Sequence, residues 1–315
     1  MKKVSRTNDL AFKKAFSTDG NTEPLIGLAK DLLDIEIKDL SLKQPYSISE
    51  YVKIINKKGL LAFQQTIRDV SADIITDKAA NLVSELQVRR TKGFDGRSLY
   101  YPAVTFTENY NQDSKKYGSL RPVYGINILG FNMFERDKDG NKDKDGIRQF
   151  EFWDRRHNTG FPIEFIITYF EYKKTVFLTD NQLYWRDYFL DKDLPPEAPD
   201  YIRHAASIIE YANMDEEERT VLDLLERAEA DRLAREDYVK EVAARVEARK
   251  AEKALRAERL ITFQLLISLG MTHEQIAAKY SISADEVMKI LNNEYDDEDI
   301  DDDDDDIDDD DEIEE

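Results

Sequence analysis

Between residues 66 and 75 apolar and polar positions come close to alternating, with Ile67, Val70, Ala72 and Ile74 set among polar neighbours. A period of two is the pattern of a half-buried strand. Thr76-Asp77-Lys78-Ala79-Ala80-Asn81 reads as a turn, and Leu82 to Gln87 resumes as a second strand, so the stretch predicts a β-hairpin. Successive side chains of a strand point to opposite faces. Asp69, Ser71 and Asp73 therefore share one face of the first strand, and Val83, Glu85 and Gln87 one face of the second. Nearly all the aromatic residues, both tryptophans (Trp153 and Trp185) and the apolar runs expected of a mixed α/β core fall within residues 1–200.

Beyond that point the pattern changes. Leu194-Pro195-Pro196-Glu197-Ala198-Pro199 interrupts regular structure, and composition shifts to Ala, Glu, Arg and Leu. Residues 214–260 contain neither glycine nor proline and predict a long helix or two. The apolar positions there (Val221, Leu224, Leu225, Ala228, Leu233, Val239, Val242, Val246) are too sparse for a helix buried all round, so it is exposed or self-associating. Residues 260–291 read as a helical hairpin. Thr272-His273-Glu274-Gln275 and Ser283-Ala284-Asp285-Glu286 each match the box in which a hydroxyl caps the third helical amide and Glu or Gln reaches back. The apolar faces and tight turn are those of a helix-turn-helix. Its second helix offers one lysine against two acids, a composition suited to packing or oligomerisation more than to reading bases. The chain thus divides into an α/β domain over 1–200, a helical linker over 201–260, the hairpin over 261–295 and an acidic tail over 296–315.

Charge sharpens this picture. The net charge is −21, but 17 of the 66 acidic residues and no basic residue lie in 296–315, leaving 49 acids against 45 bases in the body. So dense a run of like charge buries no apolar surface, and a disordered tail is expected, either solubilising or mimicking a nucleic-acid backbone. Cysteine is absent, and His157, His204 and His273 are the only histidines. Disulfides, thiolate nucleophiles and cysteine zinc sites are excluded, so a metal here sits on carboxylates. No apolar stretch reaches the about 18 residues of a bilayer span, and a soluble, cytoplasmic protein without membrane association is expected.

Two carboxylates converging from adjacent strands suit a hard cation such as Mg²⁺ or Mn²⁺, which takes one or two carboxylates plus waters and phosphate oxygens. Such an ion activates water and stabilises charge on a phosphodiester. Glu85 and Gln87 would set a ligand beside a polar amide. Acidic residues on exposed strand faces are common, so this pattern alone favours a solvated face over a metal site.

The ordered series Asp9-Leu10-Ala11-Phe12-Lys13-Lys14-Ala15-Phe16, Ala72-Asp73-Ile74, Glu85-Leu86-Gln87, Arg97-Ser98-Leu99-Tyr100-Tyr101 and Tyr117-Gly118-Ser119-Leu120-Arg121-Pro122-Val123-Tyr124-Gly125-Ile126-Asn127-Ile128-Leu129 resembles the Rpn recombination-promoting nucleases, the transposase-like branch of the PD-(D/E)XK superfamily, over roughly residues 5–190. The C-terminal helix and LLISLGMTHEQIAAKYSIS are similar to the ends of many family members. The resemblance implies an α/β fold, a PD-(D/E)XK core of mixed sheet flanked by helices, with an α-helical C-terminal extension.

By the family's D...ExQ pattern Asp73 is the first metal ligand, with Asp69 as its rival, Glu85 the second, and Leu86 offers a carbonyl. Gln87 takes the place of a lysine found in many members and cannot carry its charge. Arg97 and Tyr101, on the helix that follows, are expected to contact substrate phosphate, since arginine forks match phosphate oxygens. Asp9 and Lys13 lie one turn apart on a helix that the resemblance sets near the site and that otherwise reads as a surface ion pair. The function implied is a metal-dependent DNA endonuclease acting in recombination, mobile-element or defence processes, with Mg²⁺ or Mn²⁺ as cofactor, DNA as partner and room for a homodimer through the C-terminal helices. The rival readings are a degenerate nuclease fold that binds DNA or serves as a scaffold, and a regulator built on the helix-turn-helix.

Overall fold

The computed structural model describes residues 4–60, 69–112, 117, 120–292 and 294. The start of the predicted hairpin (66–68) and the acidic tail lie outside the described residues. The chain forms two compact units, Met1–Arg227 and Ala228–Glu315.

In the first unit, α1 (Asp9–Ser17) and α2 (Glu23–Leu33) precede β1 (Asp39–Leu42), α3 (Ile48–Lys58) and the hairpin β2 (Asp69–Ile75) and β3 (Ala79–Gln87). Then come α4 (Phe94–Gln112), β4 (Val123–Leu129), β5 (Ile147–Glu151), the short pair β6 (Trp153–Asp154) and β7 (Thr159–Gly160), β8 (Phe165–Glu171), α5 (Asp180–Phe189) and α6 (Asp200–Ile208). Six strands make one mixed sheet in the order β1-β2-β3-β4-β8-β5. The β3–β4 and β4–β8 pairs are parallel and the others antiparallel. A parallel step needs a crossover, and α4 supplies the one between β3 and β4. Every residue of β4 is buried, as expected where both faces of a strand are covered.

One face of the sheet carries the main core. Val70, Ala72, Ile74, Leu82, Leu86, Ile126, Ile128 and Phe170 pack there with Phe12, Phe16, Leu25, Leu28, Trp185 and Phe189 from the helices. Asn8 starts α1 by accepting the amide protons of Leu10 and Ala11 on its side-chain oxygen. Phe16 from that helix meets the rings of Trp185, Tyr188 and Phe189. The compact unit continues past the proline-rich stretch to Arg227, because Ile202, Ala205, Ile209, Met214, Val221, Leu222 and Leu225 all join the same core. Glu218 secures this extension, pairing with Lys14 at 2.7 Å and accepting from the Tyr46 hydroxyl at 2.7 Å. The prolines lie in the connection between α5 and α6, with Pro199 at the N-cap of α6, and the compact unit runs on past them.

The other face is covered by α4. Phe94, Leu129, Ile167 and Tyr169 form a second core there. Pro102 rests against Gly125 of β4, where an added Cβ would lie 3.1 Å from the proline ring. Glycine lets this helix approach the strand closely.

A single 53-residue helix, α7 (Glu216–Ser268), passes from the first unit into the second and runs further than the 214–260 pattern predicts. In the second unit α8 (His273–Tyr280) and α9 (Ala284–Asn292) close on Phe263, Ile276, Ala277, Val287 and Ile290. The box at Thr272 is formed in both directions, and Ser283 caps the Glu286 amide at 3.1 Å. Among the described residues no helix is long and apolar enough to cross a membrane.

Candidate active site

The turn between β2 and β3 sets the register. A six-residue turn over 76–81 pairs Ile75 with Leu82 and puts Glu85 beside Ala72 and Asp73. The turn that forms has three residues, Thr76 to Lys78, closed by a hydrogen bond from the Thr76 amide to the Lys78 carbonyl. Ile75 therefore pairs with Ala79, Asp73 with Asn81 and Asp69 with Glu85. Asp73 is thus not brought to Glu85. It lies four positions away, about 13 Å along the strand, half exposed, with its carboxylate 3.4 Å from the Lys43 ammonium.

Glu85 begins a polar row across the sheet, pairing with Asn127, which pairs with Tyr169, which pairs with Arg148. Its carboxylate is almost wholly buried, at 4 % exposure. A tight cleft between α4 and the sheet is lined by Val83, Glu85, Ser98, Tyr101, Pro102, Gly125 and Asn127. A larger cavity of about 180 Å³ lies among Phe152, Phe161, Phe165 and Ile166 at the start of β8 and holds none of these groups. The Tyr169 hydroxyl shares a 2.9 Å hydrogen bond with the Ser98 hydroxyl. Burial raises the Tyr169 phenol above its ordinary value, so it stays protonated and does not act as a base.

Arg97, in the first turn of α4, reaches back to both strand residues. Its Nη2 lies 3.0 Å from Glu85 Oε1 and donates to Gln87 Oε1. Gln87 in turn donates from Nε2 to the Arg89 carbonyl at 2.7 Å. Of the residues that the sequence singles out, Glu85, Gln87, Arg97 and Tyr101 meet at this place. Lys13, read as part of a surface pair, is instead almost wholly buried on α1, with Phe12 and Phe16 in the core beside it. Asn127 was not anticipated, although a lone amide within the otherwise apolar VYGINIL was a visible signal.

The buried carboxylate faces a guanidinium, so the spot suits a cation, and hard oxygen donors suit a divalent one. Among the described residues no group of three or more His, Cys, Asp or Glu gathers as a metal cage. The family described as PD-(D/E)XK nuclease family transposase matches residues 6–238. The chain belongs to that family. No curated protein and no solved structure matches it. For a PD-(D/E)XK nuclease family transposase a DNA substrate and a divalent metal are typical. The mixed sheet with helices on both faces is consistent with the fold of this nuclease family.

Proposed function

We propose that this chain is a metal-dependent DNA endonuclease whose site is built on Asp69 and Glu85, with Gln87, Arg97 and Tyr101 beside them. The observation that carries the reading is the register in which Asp69 pairs with Glu85, a buried carboxylate already facing a positive charge. Directly opposed residues of an antiparallel pair have their Cβ atoms about 5 Å apart, a spacing at which two carboxylates can share one ion. A divalent cation held there would supply Lewis-acid stabilisation of the phosphate and a water of lowered pKa. The remaining work belongs to the chain. Glu85 and Asp69 would hold the ion, α4 shields Glu85 from bulk water, and the Tyr101 hydroxyl and the Arg97 guanidinium would orient a phosphate at the mouth of the cleft. Asp73, beside Lys43 and half exposed, has no part in this reading.

The test is nicking of supercoiled plasmid with Mg²⁺, Mn²⁺ or EDTA. Glu85→Ala and Asp69→Asn should each lower cleavage by about 100-fold or more, and Asp73→Asn should leave it within a few-fold of the parent. Folded protein that leaves both single- and double-stranded DNA intact with either metal would put the degenerate, DNA-binding reading in its place.

A further inference from the structure

Arg97 is held more closely than a phosphate-seeking arginine needs to be. The Arg89 carbonyl can only accept, so the Gln87 amide must turn Nε2 toward it and present Oε1 to Arg97. Arg97 also lies over the buried Phe94 ring, 5.6 Å from its centroid. Three groups thus fix the guanidinium, Glu85, Gln87 and Phe94, while about a quarter of the side chain remains open to solvent.

A lysine at position 87 would repel this guanidinium, whereas a neutral acceptor steadies it. The cationic group that faces Glu85 lies in the first turn of α4 and not on the strand. We propose that Arg97 supplies the positive charge that Gln87 lacks: it rests on Glu85 in the metal-free chain and passes to a DNA phosphate when a divalent cation takes that carboxylate. This rests on the reading that Glu85 holds a cation. Arginine and a divalent ion compete for one carboxylate because their charges repel, and at equal distance the doubly charged ion attracts it more strongly. Arg97 then keeps its hold on Gln87 and Phe94 and has a free edge for phosphate oxygens. Arg97 is a positioning residue in the first state and a substrate-binding one in the second, which couples metal loading to DNA capture.

Two measurements on the full chain test this. The first follows Mn²⁺ binding by the loss of the free-ion electron-paramagnetic signal, without DNA. Glu85→Gln should abolish binding, Arg97→Gln should tighten it roughly tenfold, and Arg97→Lys, which keeps the charge, should stay near the parent. The second needs no variant. Modification of Arg97 by phenylglyoxal, read by mass spectrometry, should be slow in EDTA, several-fold faster with Mn²⁺, and slow again once a short duplex is added. If Mn²⁺ binding depends on Glu85 but neither Arg97→Gln nor the labelling rate responds as described, the exchange is refuted and the nuclease reading stands. If no cation binding depends on Glu85, the reading beneath it falls as well.

Discussion

Lys174 is buried with its ammonium facing three oxygens, the Phe134 carbonyl at 2.8 Å, Asp143 at 2.8 Å and Glu171 at 2.7 Å. Glu171 also accepts the Met133 and Phe134 amides, which fixes the strand exit beside Tyr169. Burial alone would raise the Asp143 carboxyl, but hydrogen bonds from Lys174, the Asp145 amide and Arg148 outweigh it and hold it at about 2. A carboxyl lowered on folding stabilises the fold above its ordinary pKa near 3.8, and that stabilisation is lost as the pH falls toward 2. Urea titrations should therefore show unfolding free energy dropping between about pH 4 and pH 2. Asp143→Asn should flatten that drop and cost about 3 kcal/mol at neutral pH by leaving Lys174 short of a counter-charge. An unchanged slope in the variant would remove Asp143 as its source.

Among the elements, α4 covers the Glu85 carboxylate, and its Pro102 packs against Gly125 of β4. Gly125→Leu should lift the helix, costing about 1–3 kcal/mol by overpacking. A lower melting temperature and faster amide exchange in β3 would report it, and unaltered exchange would show that α4 is held elsewhere. The capping box in the second unit is a local device with a local cost. Thr272→Ala should weaken α8 by about 1 kcal/mol, seen as faster exchange of the Gln275 amide. Such elements were legible in the sequence because their causes lie within a few residues. Thr272 and Gln275 announce a helix start, alternation from Val70 to Ile74 announces a strand, and the absence of glycine and proline announces α7. The length of the β2–β3 turn was not legible. Ala79 and Ala80 fit turn and strand equally by type, and pairing across the sheet drew them into the strand.

On the scale of the whole molecule, the body carries almost balanced charge and the net −21 is concentrated in its last twenty residues. If that acidic segment competes with DNA, deleting residues 296–315 should raise DNA affinity at low salt, with the difference closing as ionic strength rises. Filter binding in EDTA over a salt series measures this apart from any cleavage. Equal affinity for the two forms at the lowest salt would leave the tail a solubilising role only.

The sequence by itself determined which residues are candidates for chemistry here and which local elements carry them. Asp73, Glu85, Gln87, Arg97 and Tyr101 are singled out by residue type, by their places on two strands and the helix after them and by the family resemblance, and the absence of cysteine removes thiolate ligands from any metal site. Tertiary structure alone decided which of them meet. The pairing of Asp69 rather than Asp73 with Glu85 follows from a three-residue turn whose length is fixed by pairing across the sheet. The Arg97–Glu85 pair follows from a helix that can approach β4 because Gly125 leaves room for Pro102. Local signals report neither, because register and helix approach are settled by contacts between segments distant in the chain.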